Sequence, residues 1–274
     1  MHMDVFEEIT RLRKAGIKAA LATIVNVRGS IPSYESAKLL VREDGSLFGT
    51  VGGGCVEAEV WSVARKVMEQ EKPQRLTFNL NNDPSYDTGL LCGGTLEVFV
   101  EPILPTPYLY IFGAGHVSLS LSKVATLAGF RTIVIDDRDT YANRERFPEA
   151  EEIYADDYEK VFERLQPNSS SYLIAVTRGH RDDLRVLRWA VGTPARYVGM
   201  IGSKRKVIEI VEYLEEKERV PRAQLQRVHA PIGLEIGAIT PEEIAIAVVA
   251  EMIAVRRNAL AEASARPKSI LAVS

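Results

Sequence analysis

Cysteine is scarce in this chain, with two residues in 274. That count excludes a disulfide framework and fits a reducing compartment. Basic charge shows no excess. Lys plus Arg number 34 against 37 Asp plus Glu, a formal net charge of -3, so no basic stripe or tail marks a nucleic-acid partner. Long apolar runs are missing. A stretch such as Ile244 to Ala250 is far too short to span a bilayer, and no membrane span is expected. Met1-His2-Met3-Asp4 is not a basic region followed by an apolar one, so no signal peptide is read and a cytoplasmic protein is expected. There is no C-x-x-C, and His2, His116, His180 and His229 are scattered, so no metal site built from side chains alone is expected. A G-x-S-x-G elbow and a recognisable Ser/His/Asp set are lacking too. With 46% hydrophobic and 26% charged residues, what remains is an ordinary globular composition, long enough for two medium domains.

The pattern along the chain changes once. Val5, Phe6, Ile9 and Leu12 recur at helical spacing, with Gly16 as a stop. Residues 18–27 read as a strand, and 37–42 with 47–51 as a hairpin around Glu43-Asp44-Gly45-Ser46. A helix follows over 55–70, with Val56, Val60, Val63, Ala64 and Val67 as its apolar face. Strands are read at 74–80 and 95–100, separated by a polar loop at 81–87. Pro102, Pro105 and Pro107 mark a boundary between domains at 1–103 and 104–274. Beyond it strands at 108–112, 131–135, 172–177 and 196–200 alternate with helices at 116–128, 156–165, 181–191 and 204–217. This alternation predicts a parallel sheet with helices on both faces. Thr240, Pro241 and Glu243 open a final helix as N-cap, first position and third position of a capping box. The apolar residues of that helix suit a core or a homodimer contact equally. The fold class is α/β, a small N-terminal α/β domain followed by a Rossmann-like domain.

Both cysteines sit in glycine, in Gly52-Gly53-Gly54-Cys55 and in Cys92-Gly93-Gly94. Glycine beside a thiol clears side-chain bulk and lets backbone N–H groups approach whatever the sulfur meets. Cys55 is placed at a helix start, where unsatisfied N–H groups would lower its pKa, and the same turn could cradle an anion. A small buried hydrophobe is the plain alternative for either cysteine. Gly29-Ser30-Ile31-Pro32 is a polar turn after the first strand. It reads equally as an anion contact, through Ser30, or as a turn alone.

Tyr108 to Phe112 is an apolar strand that runs straight into Gly113-Ala114-Gly115-His116-Val117-Ser118 and a helix. The first glycine permits the tight turn, and the second lets backbone approach a pyrophosphate at the helix N-terminus. Ser118 holds the third position. Asp136 ends the next strand, 21 residues after Gly115, where an acid would bond ribose hydroxyls. Asp137 and Arg138 beside it leave NAD or NADP open. Thr177 to Asp183 and Gly199 to Arg205 are further turns on the same sheet edge, with Gly202 and Ser203 opening the next helix as a second anion site. Solvated loop charge is the plain alternative for Arg181, Lys204 and Lys206.

Together these residues resemble the XdhC/CoxI family, accessory proteins for molybdenum hydroxylases such as xanthine dehydrogenase. The resemblance spans about residues 5 to 257. It rests on Gly29 to Pro32, Gly49-Thr50-Val51-Gly52-Gly53-Gly54-Cys55-Val56-Glu57, Cys92-Gly93-Gly94-Thr95-Leu96-Glu97-Val98, Gly113 to Val117, Gly199 to Ser203 and Pro231-Ile232-Gly233-Leu234. Ser33-Tyr34-Glu35-Ser36-Ala37 departs from the family, which commonly carries Gly and often Arg there. The resemblance implies binding of molybdenum cofactor (molybdopterin), its delivery to an apo molybdenum hydroxylase, a cysteine desulfurase as a further partner, and no turnover chemistry of its own. It implies Cys92 first and Cys55 second as soft contacts to cofactor sulfur or molybdenum. The competing readings are an NAD(P)-dependent oxidoreductase working through Gly113, Gly115, His116 and Asp136, and a scaffold whose Rossmann domain is only an interaction surface.

Overall fold

The computed structural model describes residues 4–30, 34–80 and 93–259. The chain divides into two compact units, Met1–Thr106 and Pro107–Ser274.

The first unit begins with helix α1 (Val5–Lys14). Asp4 caps it, accepting from the N–H groups of Phe6 and Glu7 at 2.7 and 2.9 Å, while the Glu7 carboxylate accepts from the Asp4 N–H at 3.0 Å. This reciprocal bonding satisfies donors that a helix start leaves open. Strands β1 (Ala19–Ser30), β2 (Lys38–Arg42), β3 (Leu47–Gly49), β4 (Gln74–Asn79) and β5 (Gly93–Ile103) form an antiparallel sheet in the order β3-β2-β1-β5-β4. Helix α2 (Gly54–Gln70) connects β3 to β4. Alternation along β1 sorts its residues between two faces. Ala20, Ala22 and Ile24 join Val56, Val60, Ala64 and Val67 of α2 in one core, and Ala19 and Leu21 pack with Leu12 of α1 in another. β1 extends past the expected end at residue 27, through a bulge between Ile24 and Asn26.

The second unit is a six-stranded sheet, parallel in every pairing. Its strands are β6 (Tyr108–Phe112), β7 (Arg131–Asp136), β8 (Glu152–Ala155), β9 (Tyr172–Ala175), β10 (Tyr197–Met200) and β11 (Val228–His229), in the order β11-β10-β9-β6-β7-β8. The chain therefore builds outward in one direction through β8, crosses back, and builds outward in the other from β9. Helices α3 (His116–Leu127) and α8 (Pro241–Arg256) cover one face; α4 (Tyr158–Phe162), α5 (His180–Val191), α6 (Lys204–Glu216) and α7 (Arg222–Leu225) cover the other. Leu109 and Ile111 of β6 point to the first face, Tyr110 and Phe112 to the second. The capping box of α8 forms as its sequence dictates, with Thr240 Oγ1 accepting from the Glu243 N–H. Ala245, Val248, Val249 and Met252 of α8 are buried in this core. α4 is half the expected length, and β8, α7 and β11 were not expected. No described helix is long and apolar enough to cross a membrane. The polar loop at 81–87 lies outside the described residues.

Candidate functional site

In the first unit, β1 and β5 stay paired to their far ends, with Gly29 opposite Gly94 and Ser30 opposite Gly93. Two motifs more than sixty residues apart in sequence thus meet on one antiparallel pair. Cys92, adjacent to Gly93, lies outside the described residues, as do Ile31 and Pro32. Cys55 is the second residue of α2, exposed and unbridged. Gly52, Gly53 and Gly54 have φ of 116, 78 and 63°, a run that only glycine adopts readily, and it turns the chain from β3 into α2. A Cβ at Gly53 would meet nothing within 4 Å. The N–H groups of this turn are partly used. Glu57 Oε1 accepts from Val51 N and Gly53 N, both at 3.1 Å, and from Thr50 Oγ1 at 2.6 Å. The start of α2 therefore presents an exposed thiol beside an anion the protein supplies itself.

In the second unit, the turn after β6 and the turn after β9 lie side by side, because β6 and β9 are sheet neighbours. They flank the point where the chain's direction of building reverses, the usual position of ligands in open α/β sheets. Gly113 and Gly115 have different roles there. Gly113 has φ of 111°, and a Cβ on it would stand 2.4 Å from the Val176 carbonyl oxygen. Gly115 has an ordinary φ of -75°, and a Cβ on it would meet nothing within 4 Å. The first glycine closes the turn, and the second leaves open space above the start of α3. His116 and His180 are exposed at the starts of α3 and α5. Ser118, at the third position, is fully buried, with no hydrogen-bond partner for its hydroxyl among the described residues.

Asp136 is 2% exposed at the end of β7. One carboxylate oxygen accepts from Ala114 N at 2.8 Å and Arg138 Nη2 at 2.9 Å; the other accepts from Arg138 Nε at 2.8 Å and Arg138 N at 3.1 Å. Burial opposes its charge, but the Arg138 side chain and the two backbone N–H groups hold the carboxyl below its usual range. The Arg138 guanidinium lies 3.8 Å from the centre of the Tyr141 ring. Arg146 lies 5.2 Å from the same ring and donates to the Ala114 carbonyl at 3.2 Å. Arg178, in the turn after β9, pairs with Asp137 at 2.8 Å.

On the other side of β9, Asp183 is fully buried and accepts from Thr177 N and Oγ1 at 3.2 and 2.8 Å. Lys206 pairs with it, so Lys206 is a structural ion-pair partner rather than a solvated loop charge. Its stem passes over Gly202, where a Cβ would be 2.9 Å from Lys206 Cδ. Ser203 caps α6, accepting from Lys206 N at 3.3 Å. Beyond Gly202 a cleft of about 400 Å³ opens, lined by Ile201, Ile232, Leu234, Ile236, Ile244 and Ala247, with Glu235 as its charged residue. Among the described residues, no group of three or more His, Cys, Asp or Glu side chains is placed to hold a metal ion.

Comparison with known proteins places this architecture. Residues 12–79 match the XdhC and CoxI family, and residues 109–252 match the XdhC Rossmann domain. The chain belongs to the XdhC family. It is 34% identical to the uncharacterized protein YqeB of Escherichia coli K12 over 94% of its own length, and spans 47% of that protein. It is 23% identical to a Bacillus subtilis protein named as a probable xanthine dehydrogenase subunit, covering 88% of this chain and 94% of that one. The molybdenum cofactor insertion chaperone PaoD of Escherichia coli K12 is 24% identical, over 98% of this chain and 93% of PaoD. A crystal structure of a Bacillus halodurans protein described as a xanthine dehydrogenase shares the fold, with a TM-score of 0.50 and 23% identity across 97% of this chain and 98% of that one.

The sequence of this XdhC-family chain did not show how the second unit's cations are paired. Arg138 was legible beside Asp136 as a residue bearing on NAD or NADP, but not as its ion-pair partner, and Arg146 sits in a loop with no motif. Glu57 was legible as the last residue of the Gly49 to Glu57 motif and as an acid in the first turn of a helix, where the macrodipole favours it, but not as the acceptor for the turn's own N–H groups.

Proposed function

We propose that this protein is an accessory protein that binds molybdenum cofactor and delivers it to a xanthine dehydrogenase-type molybdenum hydroxylase. The observation that carries the reading is the convergence of Gly29-Ser30 with Gly93-Gly94 at one end of the β1–β5 pair, directly beside Cys92 in sequence. Family membership supports it, and so does the similarity to a relative named as a molybdenum cofactor insertion chaperone along nearly the full length of both chains. In this reading Cys92 is the principal soft contact, and Cys55, exposed beside the open Gly53, is the second. Thiolate sulfur suits a soft metal–sulfur centre, and a thiol in an open glycine turn can be reached and released. Ser30, Gly93 and Gly94 would hold the cofactor's polar edge. Delivery requires an apo hydroxylase as partner, and sulfuration of the cofactor would bring in a cysteine desulfurase. Carriage must be reversible, since an overly tight carrier cannot hand on its load.

The test is the molybdenum and pterin content of protein purified without oxygen from a host that makes the cofactor, with Cys92→Ala and Cys55→Ala beside the wild type. Pterin and molybdenum should accompany the wild type and be lost from Cys92→Ala. Absence of pterin from the wild type would overturn carriage. Undiminished pterin in Cys92→Ala would overturn the role given to that thiol.

A further inference from the structure

We propose that the crevice between the β6 and β9 turns binds a nucleotide whose ribose carries a 2′-phosphate, and that Arg138 takes that phosphate. This site belongs to the second unit alone and is independent of molybdenum cofactor carriage by the first. A strand order that reverses at β6 and β9 places a crevice at their carboxyl ends, and the N-terminus of α3 with the open space at Gly115 suits a pyrophosphate there. The end of the second strand in such a sheet meets the ribose. An acid at that place receives the 2′-hydroxyl of one class of nucleotide, and an arginine receives the 2′-phosphate of the other.

Both residue types are present here, and the geometry decides between them. A carboxylate offers about four lone-pair sites. All four of Asp136 are engaged, by Ala114 N and by three donors of Arg138, and the side chain is 2% exposed. A ribose hydroxyl finds no acceptor there unless Arg138 is displaced. The Arg138 side chain is 27% exposed, and the pair with Asp136 uses Nε and Nη2 but not Nη1. Asp136 and the ring of Tyr141 fix the guanidinium plane before any ligand arrives. Planar, pre-positioned guanidinium is well matched to phosphate. Arg146 adds a second cation against the same ring, tied to the same turn through the Ala114 carbonyl. With Arg178, three guanidinium groups stand around this turn. Asp136 and Asp137 are their close carboxylate partners, at 2.8 Å from Arg138 and from Arg178 respectively.

The experiment is fluorescence titration of the full chain with NADPH and with NADH at one fixed ionic strength, followed by competition with 2′,5′-ADP and 5′-AMP. A charge-assisted contact to the extra phosphate should make NADPH bind about tenfold or more tighter than NADH. 2′,5′-ADP should likewise outcompete 5′-AMP. Arg138→Ala should remove most of that preference, and Arg138→Lys should keep part of it, since a point charge replaces a planar fork. Equal or tighter binding of NADH, or no binding of either at millimolar concentration, would overturn the proposal without recourse to any variant. Full preference for NADPH in a folded Arg138→Ala protein, checked by circular dichroism, would overturn the assignment to Arg138.

Discussion

At the residue scale, the two glycines of the β6–α3 turn look alike in sequence and differ in what surrounds them. Gly113 combines a φ of 111° with the Val176 carbonyl 2.4 Å from where a Cβ would sit. Gly113→Ala should therefore cost about 2 kcal/mol or more, since backbone strain and a backbone clash add. Gly115→Ala should cost about 1 kcal/mol or less, because its φ is ordinary, the space is open, and alanine is only a somewhat poorer N-cap. Urea unfolding of both variants checks this, and equal costs would contradict it. Asp183 shows the opposite case, a residue whose burial and partner no local pattern gives away. It is fully buried and tied to Lys206, twenty-three residues away.

At the element scale, α1 is tied to β2 by one buried acid, beside the apolar cluster that joins Leu12 to Leu40. Glu8 is fully buried and bonds Arg11 on its own helix and Arg42 on β2, each at 2.7 Å. The hydrogen bond from Arg11 pulls its pKa down first, burial pushes back, and Arg42 adds to the lowering, for a value of about 2 against an ordinary 4.5. A carboxyl whose pKa is depressed by folding stabilises the fold fully above its unfolded pKa. That contribution is lost as pH falls through the folded value. The first unit should therefore lose stability between about pH 4.5 and about pH 2, and Glu8→Gln should flatten that part of the curve. Thermal melts across this window decide it; an unchanged slope in the variant would remove Glu8 from the account. The elements themselves differ in how visible they are. α8 announces itself through Thr240, Pro241 and Glu243, and α2 through its apolar period. β8 and β11, with four and two residues, carry too few positions for a period of two to show, and exist because β7 and β10 offer them an edge.

At the scale of the whole molecule, each unit has its own cores. Every core cluster draws its buried residues from one side of the division at Thr106 and Pro107. Domains with complete cores generally fold alone. A chain of residues 107–259 should therefore melt cooperatively and keep whatever nucleotide affinity the full chain shows. Non-cooperative melting of that fragment, followed by calorimetry, would show that the second unit depends on the first.

Local chemistry determined what the sequence could reveal by itself. Glycine where φ must be positive, a capping box at Thr240, apolar residues at a helical period in α2, and alternating strand and helix after Pro107 are each written within a few neighbouring residues. The family resemblance was legible for the same reason, because it is a string of such short pieces. Tertiary structure alone decided the pairings. It set Ser30 against Gly93 and Lys206 against Asp183. It also engaged Asp136 with Arg138 and Ala114, so that the acid's acceptor sites are filled while the Arg138 side chain keeps an exposed edge. These contacts follow from strand order, register and burial. Such quantities depend on the packing of distant segments, and no local pattern of residues encodes them.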